Sequence, residues 1–305
     1  MNAPPVWLIA GPTASGKSAV ALELARETGG EIVNADSMQL YADLHVLTAR
    51  PTGAEEALVP HHLFGIADAA VAWSVGRWLG AALDALAGIA GRGRPAIVVG
   101  GTGLYFRALT RGLADIPPIP APVRDAVQAE YDGLGEAAFR DRLARVDAAA
   151  EARIARADRQ RLTRALEVFE SSGRSLTDWQ LGTVPILGAD AWRGAVLTLP
   201  RAELYARVET RLSAMVAGGA VAEVEELLAR GLDARLPAMK ALGVASLAGQ
   251  IAGRLTAAEA LAEAKAETRR YAKRQITWFN HQTPDWPRVD ADAAAAGKIL
   301  RQSPP

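Results

Sequence analysis

Gly11-Pro12-Thr13-Ala14-Ser15-Gly16-Lys17-Ser18 satisfies the spacing G-x-x-x-x-G-K-[ST] at every fixed position. The apolar run before it, Val6-Trp7-Leu8-Ile9-Ala10, has the character of a strand. After it, Ala19-Val20-Ala21-Leu22-Glu23-Leu24-Ala25 reads as a helix from its alanine and leucine content and its 3.6-residue apolar period. Strand, glycine loop and helix make up the context in which this spacing has a mechanism. Backbone N–H groups close on phosphate oxygens, the helix N-terminus adds partial positive charge, Lys17 adds a full one, and the Ser18 hydroxyl is placed to ligate Mg²⁺. The stretch predicts an α/β fold with a di- or triphosphate site and does not specify which phosphate compound.

Working outward, Glu31-Ile32-Val33-Asn34 reads as a second strand that delivers Asp36 and Ser37-Met38-Gln39 at its C-terminal end, where open α/β sheets bind ligands. Asp36 either faces the same crevice as the phosphate loop or caps a following helix. Thr48–Thr52 and Pro60–Gly65 read as loop, and the pair His61-His62 as part of a polar loop, since adjacent side chains diverge and no third ligand sits at metal spacing. Residues 73–90 read as a helix, and the apolar region Val71–Gly91, interrupted by Arg77 and Asp84, as a buried helix and not a membrane span. Ala96–Val99 is a third strand ending in Gly100-Gly101-Thr102-Gly103, which either admits a ligand close to the backbone, with the Thr102 hydroxyl at the same edge as Asp36, or makes a tight strand-to-helix turn. No apolar strand ends in the Asp that holds magnesium in P-loop ATPases, which argues against a motor or hydrolytic switch.

The composition changes after Gly112. Asp115-Ile116-Pro117-Pro118-Ile119-Pro120-Ala121-Pro122, with four prolines in its last six residues, reads as an extended linker. From Val123 to about Gln180 the chain is helical and rich in arginine, and it reads as an inserted domain. Arginine runs of this kind are commonly solvated faces paired with nearby carboxylates. Within it, Gln160 and Arg164 share a helix face. Gly194–Leu199 returns as a strand. The helix after it carries Arg207 and Arg211 at i, i+4, where Arg207 either clamps a diphosphate or pairs with Glu203 and Glu209 at the surface. The last long helix, Thr256 to His281, interleaves Arg269, Arg270, Lys273 and Arg274 with Tyr271, Trp278 and Phe279, a pattern that suits an RNA backbone with stacked bases or, alternatively, aromatics docked on the core. The tail after Thr283 reads as a loosely ordered end.

Half of the 305 residues are hydrophobic, enough for a sizeable core. Cysteine is absent, which excludes disulfides and thiolate metal sites, and the N-terminus lacks a secretory pattern, so a cytoplasmic protein with no membrane contact is expected. With 34 basic and 34 acidic residues the net charge is zero, so a nucleic-acid partner has to be argued from local clusters.

GPTASGKS at 11–18, NADSMQLY at 34–41, PHHLFGI at 60–66, VVGGTGLYFRAL at 98–109, DRQRLTRALEVFESSGRSL at 158–176 and AKRQITWF at 272–279 together resemble the tRNA dimethylallyltransferase (tRNA isopentenyltransferase) family along almost the whole chain. The resemblance implies a P-loop NTPase-like parallel sheet flanked by helices with an inserted all-helical domain. The boundaries expected are a core at 1–113 and 191–305 and a helical tRNA-binding insert at 114–190. It implies transfer of the dimethylallyl group of dimethylallyl diphosphate, with Mg²⁺, to N6 of the adenosine 3′ of the anticodon (position 37, giving i6A) in tRNAs reading codons that begin with U. By the same resemblance Gly11, Pro12, Thr13, Ala14, Ser15, Gly16, Lys17 and Ser18 bind the diphosphate, Ser18 ligates Mg²⁺, and Asp36, Thr102 and Arg207 are catalytic, with Asp36 the general base. Implied tRNA contacts are Asp36, Ser37, Met38, Gln39, Thr102, Arg124, Gln160, Arg161, Leu162, Thr163, Arg164, Lys240, Arg270, Lys273 and Arg274. At the Lys240–Val244 turn this chain has Val244 where many family members carry an aromatic side chain. A monomer acting on the anticodon stem-loop is expected. The residues alone leave open a P-loop kinase with an arginine-rich lid, a prenyltransferase acting on free AMP or ADP, and a non-catalytic RNA-binding module.

Overall fold

The computed structural model describes residues 6–291 and 297–298. Among these, β1 (Val6–Ala10), β2 (Glu31–Asn34), β3 (His61–His62), β4 (Ala96–Gly100), β5 (Trp192–Thr198) and β6 (Arg288–Asp290) form one sheet in the order β3-β2-β4-β1-β5-β6, every pairing parallel. Parallel strands need both faces covered, and the alternation along the strands supplies two apolar faces. Trp7, Ile9, Ile32, Ile97 and Val99 meet Val20, Ala21, Leu24 and Ala25 of α1 (Lys17–Thr28). Leu8, Ala10, Val33 and Val98 face the larger core. That core is built from α3 (Val75–Gly91), α4 (Gly103–Arg111), α8 (Arg201–Met215), α9 (Val221–Ala229), α10 (Val244–Ile251) and α11 (Ala257–Gln282), with Trp78, Phe106, Val208, Val224, Leu247 and Phe279 fully buried. Short α2 (Gly53–Leu58) is closed by a capping box in which Thr52 and Glu55 satisfy each other's orphan groups.

The chain divides into two units, one of residues 1–110 and 187–305 and one of residues 111–186. The second is all helical: α5 (Ala121–Arg153), α6 (Arg159–Ser172) and α7 (Leu176–Leu181) around Val127, Phe139, Leu143, Ala150, Leu162 and Leu166. Its limits stand three and four residues from the 114–190 expected from composition, and Leu187 N–H already donates to Leu109 O in the first unit. Pro122 opens α5 rather than ending the linker, because its missing N–H costs nothing in a first helical turn. Dihedrals at Gly135 and Asp147 break α5, and the Asp147 carboxylate accepts from Ala150 N–H and from the backbone and hydroxyl of Thr177, fixing α7 to the break.

Several expectations are corrected. Asp36 caps no helix; its Oδ1 accepts the Met38 N–H at 3.0 Å within a run of turns. The loops around residues 48–65 contain α2 and the short strand β3. Helix α3 is half-buried: Trp78, Leu79, Ala82, Leu86 and Ile89 face the core while Gly80, Ala87, Gly88 and Ala90 face out. The tail holds β6 at the sheet edge, paired with β5; residues 292–296 and 299–305 lie outside the described residues. The described helices include none long and apolar enough to cross a membrane.

One strand in from the opposite edge, Glu31 is buried at the start of β2 and holds three partners: Arg92 (2.8 and 2.6 Å), Arg94 (3.4 Å) and His62 (2.7 Å). The hydrogen bonds from Arg92 lead in drawing the Glu31 carboxyl down to about 2, burial opposing them and His62 assisting. A depressed carboxylate pKa contributes stability that is present above the unfolded value of about 4.5 and lost as pH falls toward about 2. Glu31→Gln should cost about 2 kcal/mol at pH 7, after allowance for solvent at the half-exposed arginines, and should flatten the acid limb between about pH 4.5 and 2. Urea unfolding of both proteins across that range measures it; parallel pH profiles would refute the assignment.

Candidate active site

Three loops leave the C-terminal edge of the sheet: the phosphate loop after β1, Asp36–Gln39 after β2, and Gly101–Thr102 after β4. In the phosphate loop Gly16 sits at φ +88°, a region open to glycine, and the side of Gly16 carries Arg207 Nη1, 3.4 Å from where a Cβ would stand. Ser15 N–H donates to Pro12 O, Lys17 Nζ donates to Pro12 O at 3.3 Å, and Lys17 and exposed Ser18 open α1. The approach that the Gly100–Gly103 turn permits is made by protein: a Cβ at 101 would lie 2.2 Å from Gln275 Nε2 and one at 103 would lie 2.2 Å from the Trp278 ring. Gln275, buried on α11, ties the first and third loops together, its Oε1 accepting from Thr13 N–H at 2.8 Å and its Nε2 donating to Gly101 O at 2.9 Å. The Thr102 hydroxyl accepts from Ser37 N–H at 3.0 Å and donates to Ser37 Oγ at 3.3 Å, which ties the second loop to the third.

The first two of these loops open on a cavity of about 270 Å³ lined by Thr13, Asp36, Ser37 and Met38, by Leu47 and Thr48, by Arg211, Leu212 and Met215 of α8, by Lys240–Leu242, and by Glu267, Thr268, Tyr271 and Arg274 of α11. Its lining combines the cations Arg211, Lys240 and Arg274 and the carboxylates Asp36 and Glu267 with apolar Met38, Leu47, Leu212, Met215 and Leu242. Of the two arginines on α8, Arg207 stays at the rim, about two-fifths exposed and paired with Glu203 at 2.8 Å. Arg211 is the one that enters: its guanidinium donates to Thr13 Oγ1, and burial pushes its pKa down while the Asp36 charge pushes it up. Its place was visible in the spacing, because 211 stands three residues after Val208 and four before Met215, beside the buried stripe Leu204, Val208, Leu212 and Met215 of α8, where a cation is unusual. Burial lowers the Lys17 ammonium to about 8, opposed by Asp36 and assisted by Arg211. Tyr105 and Tyr271 are pushed upward by burial and by the Asp36 charge, so both phenols stay protonated. Asp36 is therefore the common electrostatic neighbour of Lys17, Arg211 and the two tyrosines.

The donors fit an anion. Lys17, Arg211 and the glycine loop present positive charge, and buried Arg211 Nε and Ser15 Oγ have no hydrogen-bond partner among the described residues. The same residues offer a metal little: no cluster of three or more His, Asp or Glu side chains occurs among the described residues, which leaves the Ser18 hydroxyl as the protein ligand expected at the loop. A Mg²⁺ ion fits there only in the manner of ions held mainly by substrate phosphate oxygens and water.

Other expected contact residues divide by face. Gln39 spends its amide on the Thr48 and Ala49 carbonyls, both at 2.9 Å. Lys240 and Arg274 line the cavity, while Arg270 and Lys273 are exposed on α11. Phe279 is core, Trp278 packs on the Gly103 turn, and Val244 is buried at the start of α10, so the aromatics after Tyr271 dock on the protein. In the helical unit, Gln160, Arg161, Thr163 and Arg164 line a separate groove of about 680 Å³, and exposed Arg124 helps lower the Arg164 pKa, after burial. Leu162 is a correction: it is fully buried in that unit's core and presents nothing to a partner. Arg140, Arg142 and Arg159 are committed to Glu136, Glu151, Glu130, Glu170 and Asp132, as arginine-rich faces commonly are.

Residues 39–282 match the model of the IPP transferase family, and residues 4–59 match a model described as isopentenyl transferase. The chain is 60% identical to the tRNA dimethylallyltransferase of Phenylobacterium zucineum (strain HLK1), covering 95% of this chain and 94% of that one, and 58% identical to that of Caulobacter sp. (strain K31), covering 98% and 97%. Among solved structures it resembles the full-length tRNA isopentenylpyrophosphate transferase of Bacillus halodurans, with TM-score 0.69, 32% identity and coverage of 97% and 94%. A eukaryotic dimethylallyltransferase acting on tRNA shares the fold at TM-score 0.81 and 24% identity, covering 94% of this chain and 74% of that one.

Two outcomes follow from Lys17 and Arg211. Inorganic pyrophosphate should bind this site with an affinity that declines as pH rises through about 8, because Lys17 then loses the charge that binding restores. Calorimetry in buffers of different ionisation heat should detect the proton uptake by Lys17, and Lys17→Arg should remove that share and leave only the linkage of pyrophosphate itself. Arg211→Ala should weaken pyrophosphate about 10- to 100-fold, as expected for a lost charged hydrogen bond, and Arg207→Ala less than about threefold. The reverse ranking would restore Arg207 as the clamp.

Proposed function

The chain belongs to the IPP transferase family, and from that premise we propose that it moves the dimethylallyl group of dimethylallyl diphosphate to N6 of adenosine 37, 3′ of the anticodon, giving i6A in tRNAs that read codons beginning with U. The observation that carries the reading is that the phosphate loop and Asp36 open on one cavity whose lining includes the apolar side chains of Met38, Leu47, Leu212, Met215 and Leu242. A diphosphate bound at Lys17 and Arg211 leaves a short hydrocarbon tail to meet that lining. A hydrolase has no use for such a lining, and an acceptor base beside Asp36 does.

In the transfer the N6 lone pair attacks C1 of the prenyl chain, the C1–O bond breaks, its electron pair leaves with pyrophosphate, and the N6 proton passes to the Asp36 carboxylate. Lys17, Arg211 and the loop N–H groups stabilise charge that grows on the departing diphosphate, so their contribution rises toward the transition state. The Met38 N–H on Oδ1 fixes the Asp36 carboxylate and leaves Oδ2 to accept the proton. Thr102 acts through Ser37, holding the second loop in place. Mg²⁺, held through Ser18 and the phosphates, would supply further charge neutralisation at the leaving group.

The RNA contacts are assigned to each unit by itself. In the first unit Ser37, Met38, Lys240 and Arg274 line the cavity and Arg270 and Lys273 stand exposed for backbone phosphates; in the second, Arg124, Gln160, Arg161 and Arg164 offer charge and amide donors.

Incubation with dimethylallyl diphosphate, Mg²⁺ and an anticodon stem-loop carrying adenosine at the expected position should raise the RNA mass by one prenyl group. RNA unchanged in mass would overturn the reading. Asp36→Asn should lower turnover roughly 10²–10⁴-fold while the stem-loop still binds, the range for a lost general base.

A further inference from the structure

The turn after Asp36 is held by a carboxylate from a distant helix that the chemistry above does not use. Residues 44–50 close on themselves: Thr48 Oγ1 donates to Leu44 O at 2.6 Å, and the Ala49 and Arg50 N–H groups donate to Val46 O and His45 O, both at 3.1 Å. A turn wound this way directs its first N–H groups outward, as a helix N-terminus does. Glu223, in the first turn of α9, receives them: Oε1 accepts from His45 N–H at 2.5 Å and Val46 N–H at 2.7 Å, and Oε2 accepts from Leu47 N–H at 2.8 Å.

The next residues of that turn wall the cavity. Leu47 and Thr48 line it beside Asp36, and Leu47 packs so closely on Gly243 that a Cβ there would stand 3.0 Å from Leu47 Cδ1. Arg211, Leu212 and Met215, which line the same cavity, lie on α8, joined to α9 by the short Val216–Ala220 segment. One helical stretch thus supplies part of the lining directly and fixes another part through Glu223. Three hydrogen bonds to a single charged acceptor are the strong kind, and their geometry leaves the turn little room to slide.

We infer that Glu223 is a positioning residue that sets the width of the prenyl cavity and, with it, the length of prenyl diphosphate the enzyme accepts. The inference rests on the transferase reading above. Glu223→Ala removes all three acceptors; Glu223→Gln keeps one oxygen for His45 and Val46 and loses the carboxylate oxygen that serves Leu47.

The test compares these variants with Glu226→Gln, which removes an exposed charge from the same helix. For Glu223→Ala, kcat/KM with dimethylallyl diphosphate should fall between about tenfold and a hundredfold, the cost of misplacing a cavity wall. Its preference for the five-carbon over the ten-carbon donor should narrow severalfold, its KM for the stem-loop should stay within about twofold, and amide exchange at residues 45–47 should quicken at least about tenfold. Glu223→Gln should fall between it and the native protein, and Glu226→Gln should match the native protein. Native donor discrimination in Glu223→Ala, or a lowered melting temperature with unchanged kinetics of the folded protein, would overturn the inference. Absence of transfer by the native protein counts instead against the transferase reading, and the exchange measurement, which needs no substrate, then still decides whether Glu223 holds the turn.

Discussion

Gln275 places one buried carboxamide between the phosphate loop and the turn after β4, accepting from one and donating to the other. Both partners are backbone groups at the C-terminal edge of a parallel sheet, where a lost hydrogen bond leaves a buried polar atom unsatisfied. The bond to Thr13 has a second effect. It occupies the Thr13 N–H, so phosphate recognition falls to the groups that follow it in the loop and to the Thr13 hydroxyl that Arg211 engages. Thr102 extends the stitching to Ser37, and so to the segment that carries Asp36. The nucleophile's base and the leaving group's cradle are thereby parts of one hydrogen-bonded edge, which is the condition for alignment to contribute to rate.

The sequence told most where the determinants are local. The phosphate loop was legible because its glycines, lysine and flanking periodicities lie within twenty residues, and β2, β4 and β5 because buried parallel strands are continuous apolar runs. β3 and β6 were not, having two and three residues and owing their existence to pairing with β2 and β5. Helix α2 was missed between prolines although Thr52 and Glu55 formed a readable capping box.

At the site, a resemblance carries a segment as a block, whereas a helix divides it by face. Leu162 went with Gln160 and Arg164 into the contact set and belongs to the core with Ala165 and Leu166. The resemblance offers Arg207 as the clamp, whereas Arg211 is the one that flanks the buried stripe of α8. Gln275 and Glu223 carried no spacing signal of their role; the partners of Gln275 stand 262 and 174 residues away in sequence and those of Glu223 stand 176–178 away. Zero net charge likewise concealed the cations Arg211, Lys240 and Arg274 that line the cavity, since many carboxylates elsewhere are spent on arginines of the helical unit and the outer surface.

The order of strands also governs when the site can exist during synthesis. Central β1 is made first, yet its neighbours are β4 and β5, and the residues that fasten its loop sit on α8 and α11. A nascent chain that has emerged only through β4 holds the glycine loop without Arg211 and without Gln275. Contacts this distant in sequence form late, because closing the intervening chain costs entropy before any contact rewards it. The unfinished protein therefore has no assembled diphosphate cradle until both α8 and α11 have docked.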